Sequence, residues 1–99
     1  MATFGLWIEE LPGLHVVHLY GELDMAEAAR LKSLLVNVGR STVSVNLSKL
    51  TFLDAQGLDA IVSARQTILA EGNTFRIVGA RGIVRRVFEL TGLVSLLDS

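Results

Sequence analysis

Three observations predict an α/β fold for this chain: a mixed β-sheet covered by helices mainly on one face. Short segments that alternate apolar and polar residues recur along it. Between the later segments lie stretches whose apolar residues repeat at three and four. The first two segments are separated by a short stretch holding the turn dipeptide Pro12-Gly13, whereas the later ones are helix lengths apart. Alternation marks strands and three-four spacing marks helices. A tight turn makes an antiparallel hairpin, and strands joined through helices run parallel. The expected order is β-β-α-β-α-β-α, with an optional short terminal strand or turn.

Each element has its own signal. In residues 4–9, Phe4, Leu6 and Ile8 fall on one face and Gly5, Trp7 and Glu9 on the other. Residues 14–20 form the second strand, which Gly21-Glu22-Leu23-Asp24 is expected to break. Asp24 is a good helix N-cap, and Glu27 three residues on completes an Asp-type capping box. The helix over residues 25–38 carries Ala28, Leu31, Leu35 and Val38 as one stripe, with Gly39 as its stop. In the strand over residues 43–48, Val43, Val45 and Leu47 oppose Ser44, Asn46 and Ser48. A short loop then leads to Asp54, which caps a helix over residues 55–71. Leu58, Ile61, Val62, Ile68 and Leu69 are its stripe, interrupted by Arg65. Phe75, Ile77 and Gly79 alternate with Arg76 and Val78 in a fourth strand. A third helix over residues 82–91 carries Ile83, Val84, Val87 and Phe88, and Thr91-Gly92 stops it.

Composition bounds the function. The 99 residues make one domain, residues 1–99, with 51% hydrophobic and 19% charged residues, as a compact fold requires. A net charge of −1 argues against nucleic acid, which needs clustered excess Lys and Arg. Arg81, Arg85 and Arg86 read as a solvated helix face. With no cysteine there is no disulfide, thiolate metal site or thiol nucleophile, which fits a reducing cytoplasm. No apolar run is long enough to insert into a membrane, and the N-terminus has no signal-peptide pattern.

Candidate catalytic groups are few. His15 and His18 lie three apart on one strand and so point to opposite faces, which prevents joint metal binding. Asp24 and Asp54 each follow a strand and precede a helix, so both fall at one end of the sheet. They read as N-caps, because no His, Lys or nucleophile accompanies them. Gly79-Ala80-Arg81-Gly82 lacks a full phosphate-binding fingerprint and reads as a strand-to-helix turn. Trp7 is isolated on the outer face of the first strand. No catalytic residue, metal site or cofactor is expected. The first strand is free to pair edge to edge in a homodimer.

Three ordered segments resemble the STAS domains of bacterial anti-sigma factor antagonists. They are Leu19-Tyr20-Gly21-Glu22-Leu23-Asp24, then Val45-Asn46-Leu47-Ser48-Lys49-Leu50-Thr51-Phe52-Leu53-Asp54 with Gly57-Leu58, and Val87-Phe88-Glu89-Leu90-Thr91-Gly92-Leu93. The resemblance implies a STAS-like domain that binds a cytoplasmic anti-sigma factor, often a serine kinase with a GHKL-type ATP site, and so frees a sigma factor. It places the partner surface at Asp24, Thr51, Asp54, Ala55, Gln56 and Gly57. In the family, a Ser or Thr follows the signature aspartate and is phosphorylated. Here that position is Ala55, followed by Gln56, and neither accepts phosphate. The expectation is an antagonist not switched at the usual site, with Ser48 and Thr51 as alternative phosphosites. The alternative is a non-enzymatic scaffold in a stress-sensing complex or an accessory subunit of a lipid-transport ATPase.

Overall fold

The computed structural model describes residues 3–38 and 42–98. Its chain order is β1 (Phe4–Leu11), β2 (Leu14–Leu23), α1 (Met25–Val38), β3 (Thr42–Leu53), α2 (Ala55–Ala70), β4 (Phe75–Val78), α3 (Gly82–Leu90) and a 3-10 turn (Val94–Leu96). The four strands form one sheet in the order β1-β2-β3-β4. β1 and β2 are an antiparallel hairpin. β3 runs parallel to both β2 and β4, and α1 and α2 supply the crossovers that parallel pairing demands.

The core lies between the sheet and its helices. Val17 and Leu19 of β2, Val43, Val45 and Leu47 of β3, and Phe75 and Ile77 of β4 are buried there. They meet Leu31 and Leu35 of α1, Leu58, Ile61 and Ile68 of α2, and Val84 and Phe88 of α3. Alternation leaves Trp7, Tyr20 and Arg76 exposed on the opposite face. In α2 the stripe shifts by one position from the expected one. Ala60 and Ala64 are buried, whereas Leu69 is exposed and Val62 half-buried. The close approach of α1 explains the shift, since α1 and α2 pack side by side and small residues fit the seam. Ile83, expected in the stripe of α3, is exposed.

Three strands run further than their alternation suggests, β1 only by Glu10 and Leu11. β2 does not break at Gly21 but continues to Leu23, and β3 continues past Ser48 to Leu53. Their pairing survives because the register slips between His18 and Tyr20 and again between Gly21 and Glu22. Across the slips, Leu47, Leu50 and Leu53 all point inward. A spacing of three inside a strand is the mark of bulges and hides the period of two. Gly21 sits at φ 85°, where the carbonyl of Thr3 crosses it, and Glu22 donates to that carbonyl at 2.7 Å. Thr51 is therefore a strand residue, not a loop residue, and Ser48 lies within the strand as expected. The terminal element is a 3-10 turn rather than a strand. Gly39, the expected stop of α1, lies outside the described residues.

That last segment still serves the sheet. Asp98 donates its N–H to the carbonyl of Ile77 at 2.8 Å, and its Oδ2 accepts the N–H of Ile77 at 2.8 Å. One residue thus satisfies both outward backbone groups at the middle of β4. Asp98→Ala removes a charge-assisted bond and should cost about 1.5–3 kcal/mol in urea unfolding. Amide exchange at Ile77 should accelerate more than at its core neighbour Val45; unchanged exchange at Ile77 would contradict the contact.

Candidate functional site

β2 and β3 end together, with Leu23 opposite Leu53 in the register. Each is followed at once by an aspartate and a helix. The two helix starts therefore lie side by side, and their orphan N–H groups need acceptors. Asp54 serves both helices. Its Oδ1 accepts the N–H of Gly57 in α2 at 2.8 Å, and its Oδ2 accepts the N–H of Met25 in α1 at 3.1 Å. Its own N–H donates to the carbonyl of Leu23 at 3.2 Å, closing the link back to β2. Its carbonyl accepts the N–H of Leu58 at 2.9 Å, the first full turn of α2.

Asp24 caps only its own helix. Its Oδ1 accepts the N–H of Ala26 at 3.0 Å, and its carbonyl accepts the N–H of Ala28 at 3.1 Å. The expected capping box is absent. Glu27 turns instead to Arg30 one turn on, at 3.2 Å, where a guanidinium offers a charge-assisted bond. Gly57 is required by close packing. A Cβ there would lie 2.8 Å from Cγ of Leu23 and 2.9 Å from its carbonyl oxygen, so α2 rests directly on the end of β2.

Around these caps the surface is mixed. Ala55 and Gln56 are exposed in the first turn of α2, and Met25 is 70% exposed at the start of α1. A groove of about 340 Å³ runs between the helices, lined by Met25, Ala28, Ala29, Lys32, Gln56, Asp59 and Ala60. Thr51 is exposed on β3, and its hydroxyl donates to the carbonyl of Gly21 at 3.1 Å. Ser48 is half-buried further back on β3, against Gly79. The structure thus gathers Asp24, Asp54, Ala55, Gln56 and Gly57 at the helix starts. Thr51 lies on the strand leading to them, and Ser48 lies apart.

Sequence reasoning missed the groove. Its signal was present: Met25, Ala28, Ala29 and Lys32 have the spacing of one helix face, and so do Gln56, Asp59 and Ala60. Neither histidine joins the site. His18 is held between Asn46 and Glu9, each at 3.1 Å, and stacks on Trp7 with ring centroids 4.7 Å apart. His15 lies 3.9 Å from Glu10. Among the described residues no group of His, Cys, Asp or Glu has metal-binding geometry. The arrangement offers rigid, shaped contact.

A family model described as STAS domain matches residues 6–98. The chain belongs to the STAS domain family. This STAS domain is 30% identical over 84 residues to an anti-sigma-B factor antagonist of Staphylococcus epidermidis, a match covering 82% of this chain and 78% of that one. The crystal structure of an anti-sigma factor antagonist from Mycobacterium paratuberculosis superposes with a TM-score of 0.83 at 29% identity, over 97% of this chain and 84% of the other. The anti-sigma factor antagonist SpoIIAA in its unphosphorylated form shares the fold, with a TM-score of 0.79 at 21% identity over 94% and 85% of the two chains.

Each cap of this kind contributes about 1 kcal/mol. Asp54→Ala should therefore cost about 2 kcal/mol in urea unfolding and Asp24→Ala about 1 kcal/mol. Asp54→Asn keeps one acceptor oxygen and should fall between them. Equal losses for Asp24→Ala and Asp54→Ala would contradict the double cap.

Proposed function

We propose that this STAS domain is a non-enzymatic antagonist of an anti-sigma factor. It binds that protein through the paired starts of α1 and α2 and so releases a sigma factor for transcription. The observation that carries this reading is the site itself. Exposed Ala55 and Gln56 sit on a helix start that Asp54 locks to its neighbour, in a chain whose curated relatives are anti-sigma factor antagonists. The partner is an anti-sigma factor of the serine-kinase type with a GHKL-type ATP site, and the setting is the cytoplasm. The contact surface is Asp24, Ala55, Gln56 and the α1–α2 groove, with Thr51 at its margin. Gly57 and Asp54 hold that surface in shape.

Ala55 has a definite consequence in this reading. A phosphate on the first residue of α2 would add about −1.5 to −2 charges at a surface that a partner must desolvate. Without a hydroxyl, that route to release is closed, so binding is constitutive with respect to this position. The backbone would tolerate the charge, because negative groups are favoured at helix N-termini. Phosphorylation at Thr51 would instead break its bond to Gly21 and act on the β2–β3 seam at the margin of the contact surface.

The experiment is calorimetric titration against anti-sigma-type kinase domains, with and without ATP. Binding unaffected by ATP is expected. Ala55→Asp should weaken it about tenfold or more, equivalent to about 1.4 kcal/mol, with an unchanged unfolding midpoint. Ala55→Ser should restore ATP-dependent release, with phosphate on residue 55 by mass spectrometry. Normal binding by Ala55→Asp would remove this surface from the account. No binding to any such domain would favour the scaffold or transporter-subunit reading.

A further inference from the structure

The two edges of the sheet are treated differently. On β4, Asp98 occupies the outward N–H and carbonyl of Ile77. On β1, among the described residues, nothing pairs with the outer edge. The ladder identifies which groups are free there. Glu22 donates to the carbonyl of Thr3, and the hairpin closes with Leu11 opposite Leu14 across a two-residue turn. Odd-numbered residues of β1 thus exchange bonds with β2. Alternation then sends the N–H and carbonyl of Phe4, Leu6, Ile8 and Glu10 outward.

Side chains on both faces of this edge are unfinished. Trp7 is 44% exposed on the open face, and Ile8 is 37% exposed on the helix face. Natural edges are usually guarded by Lys, Pro, a bulge or a cover. β1 holds no Lys or Pro, and its pairing with β2 is free of bulges. Its only charges, Glu9 and Glu10, sit together at one end.

We propose that β1 is a self-association edge, pairing antiparallel with β1 of a second copy about a two-fold axis at Trp7. That register matches outward groups reciprocally, Leu6 with Ile8 of the second copy and Phe4 with Glu10. The two Trp7 rings meet on the open face, and Leu6 and Ile8 extend the apolar layer on the other. Glu9 falls opposite Gly5 and Glu10 opposite Phe4, so no carboxylates face each other. A single-strand seam is at the small end of stable interfaces, so the dimer is weak. None of its residues belongs to the helix-start surface, so it stands independently of the proposed antagonist function.

Sedimentation equilibrium of the full chain should show a monomer–dimer equilibrium. Trp7 is the only tryptophan, so emission should change with concentration along the same curve. Ile8→Pro deletes an outward N–H and should stay folded by circular dichroism yet monomeric, because edge strands tolerate Pro at such positions. If it fails to fold, Ile8→Lys provides the same reading through charge. The chain has no cysteine, so Trp7→Cys reports the register. Facing Cα atoms about 4.5 Å apart suit a disulfide, and oxidation should link Trp7→Cys but not Glu9→Cys. A chain that remains monomeric to millimolar concentration overturns the proposal. So does a dimer that persists in folded Ile8→Pro and Ile8→Lys, or cross-linking equally efficient at both cysteines.

Discussion

One carboxylate joins the two halves of the helical layer. Asp54 follows the central strand β3, and its two oxygens reach the first turns of α1 and α2. The sheet brings those turns together, because β2 and β3 are parallel neighbours that end at the same level. Parallel strands feed their helices from the same end, so two sets of orphan N–H groups fall within reach of one side chain. The arrangement converts a topological necessity into a fixed geometry. Leu23 completes it by accepting the N–H of Asp54 and by packing against Gly57.

The surface above inherits that rigidity. Met25, Ala55 and Gln56 are exposed yet belong to turns that Asp54 anchors through the N–H groups of Met25 and Gly57. Small residues in the seam between α1 and α2 leave a groove instead of a filled ridge. A surface of this kind costs little entropy to organise when a partner arrives. Ala55, the first residue of α2, places a methyl group and no hydroxyl on that platform.

Much of this was legible in the residues. Alternation in Val43, Val45 and Leu47 and the three-four spacing of Ala28, Leu31 and Leu35 placed strand and helix correctly, because each faces a single core. Both aspartates were legible as caps from their place between strand and helix. The extension of β2 and β3 was not, because the register slips replace a period of two with a period of three at Leu47, Leu50 and Leu53. The double role of Asp54 was equally hidden. Nothing in sequence relates it to Met25, 29 residues away, until the parallel pairing of β2 and β3 brings them together. The capping box at Glu27 did not form, its carboxylate turning instead to Arg30 one turn on.

The most direct measurement is the proton–nitrogen spectrum of Asp54→Ala beside the unsubstituted chain. Both the Met25 and the Gly57 amide protons should move upfield together as they lose a charged acceptor, while Ala26, bound to Asp24, keeps its own. A shift at Gly57 with Met25 unmoved would mean that Asp54 caps α2 alone, and the account of a single carboxylate holding both helix starts would be wrong.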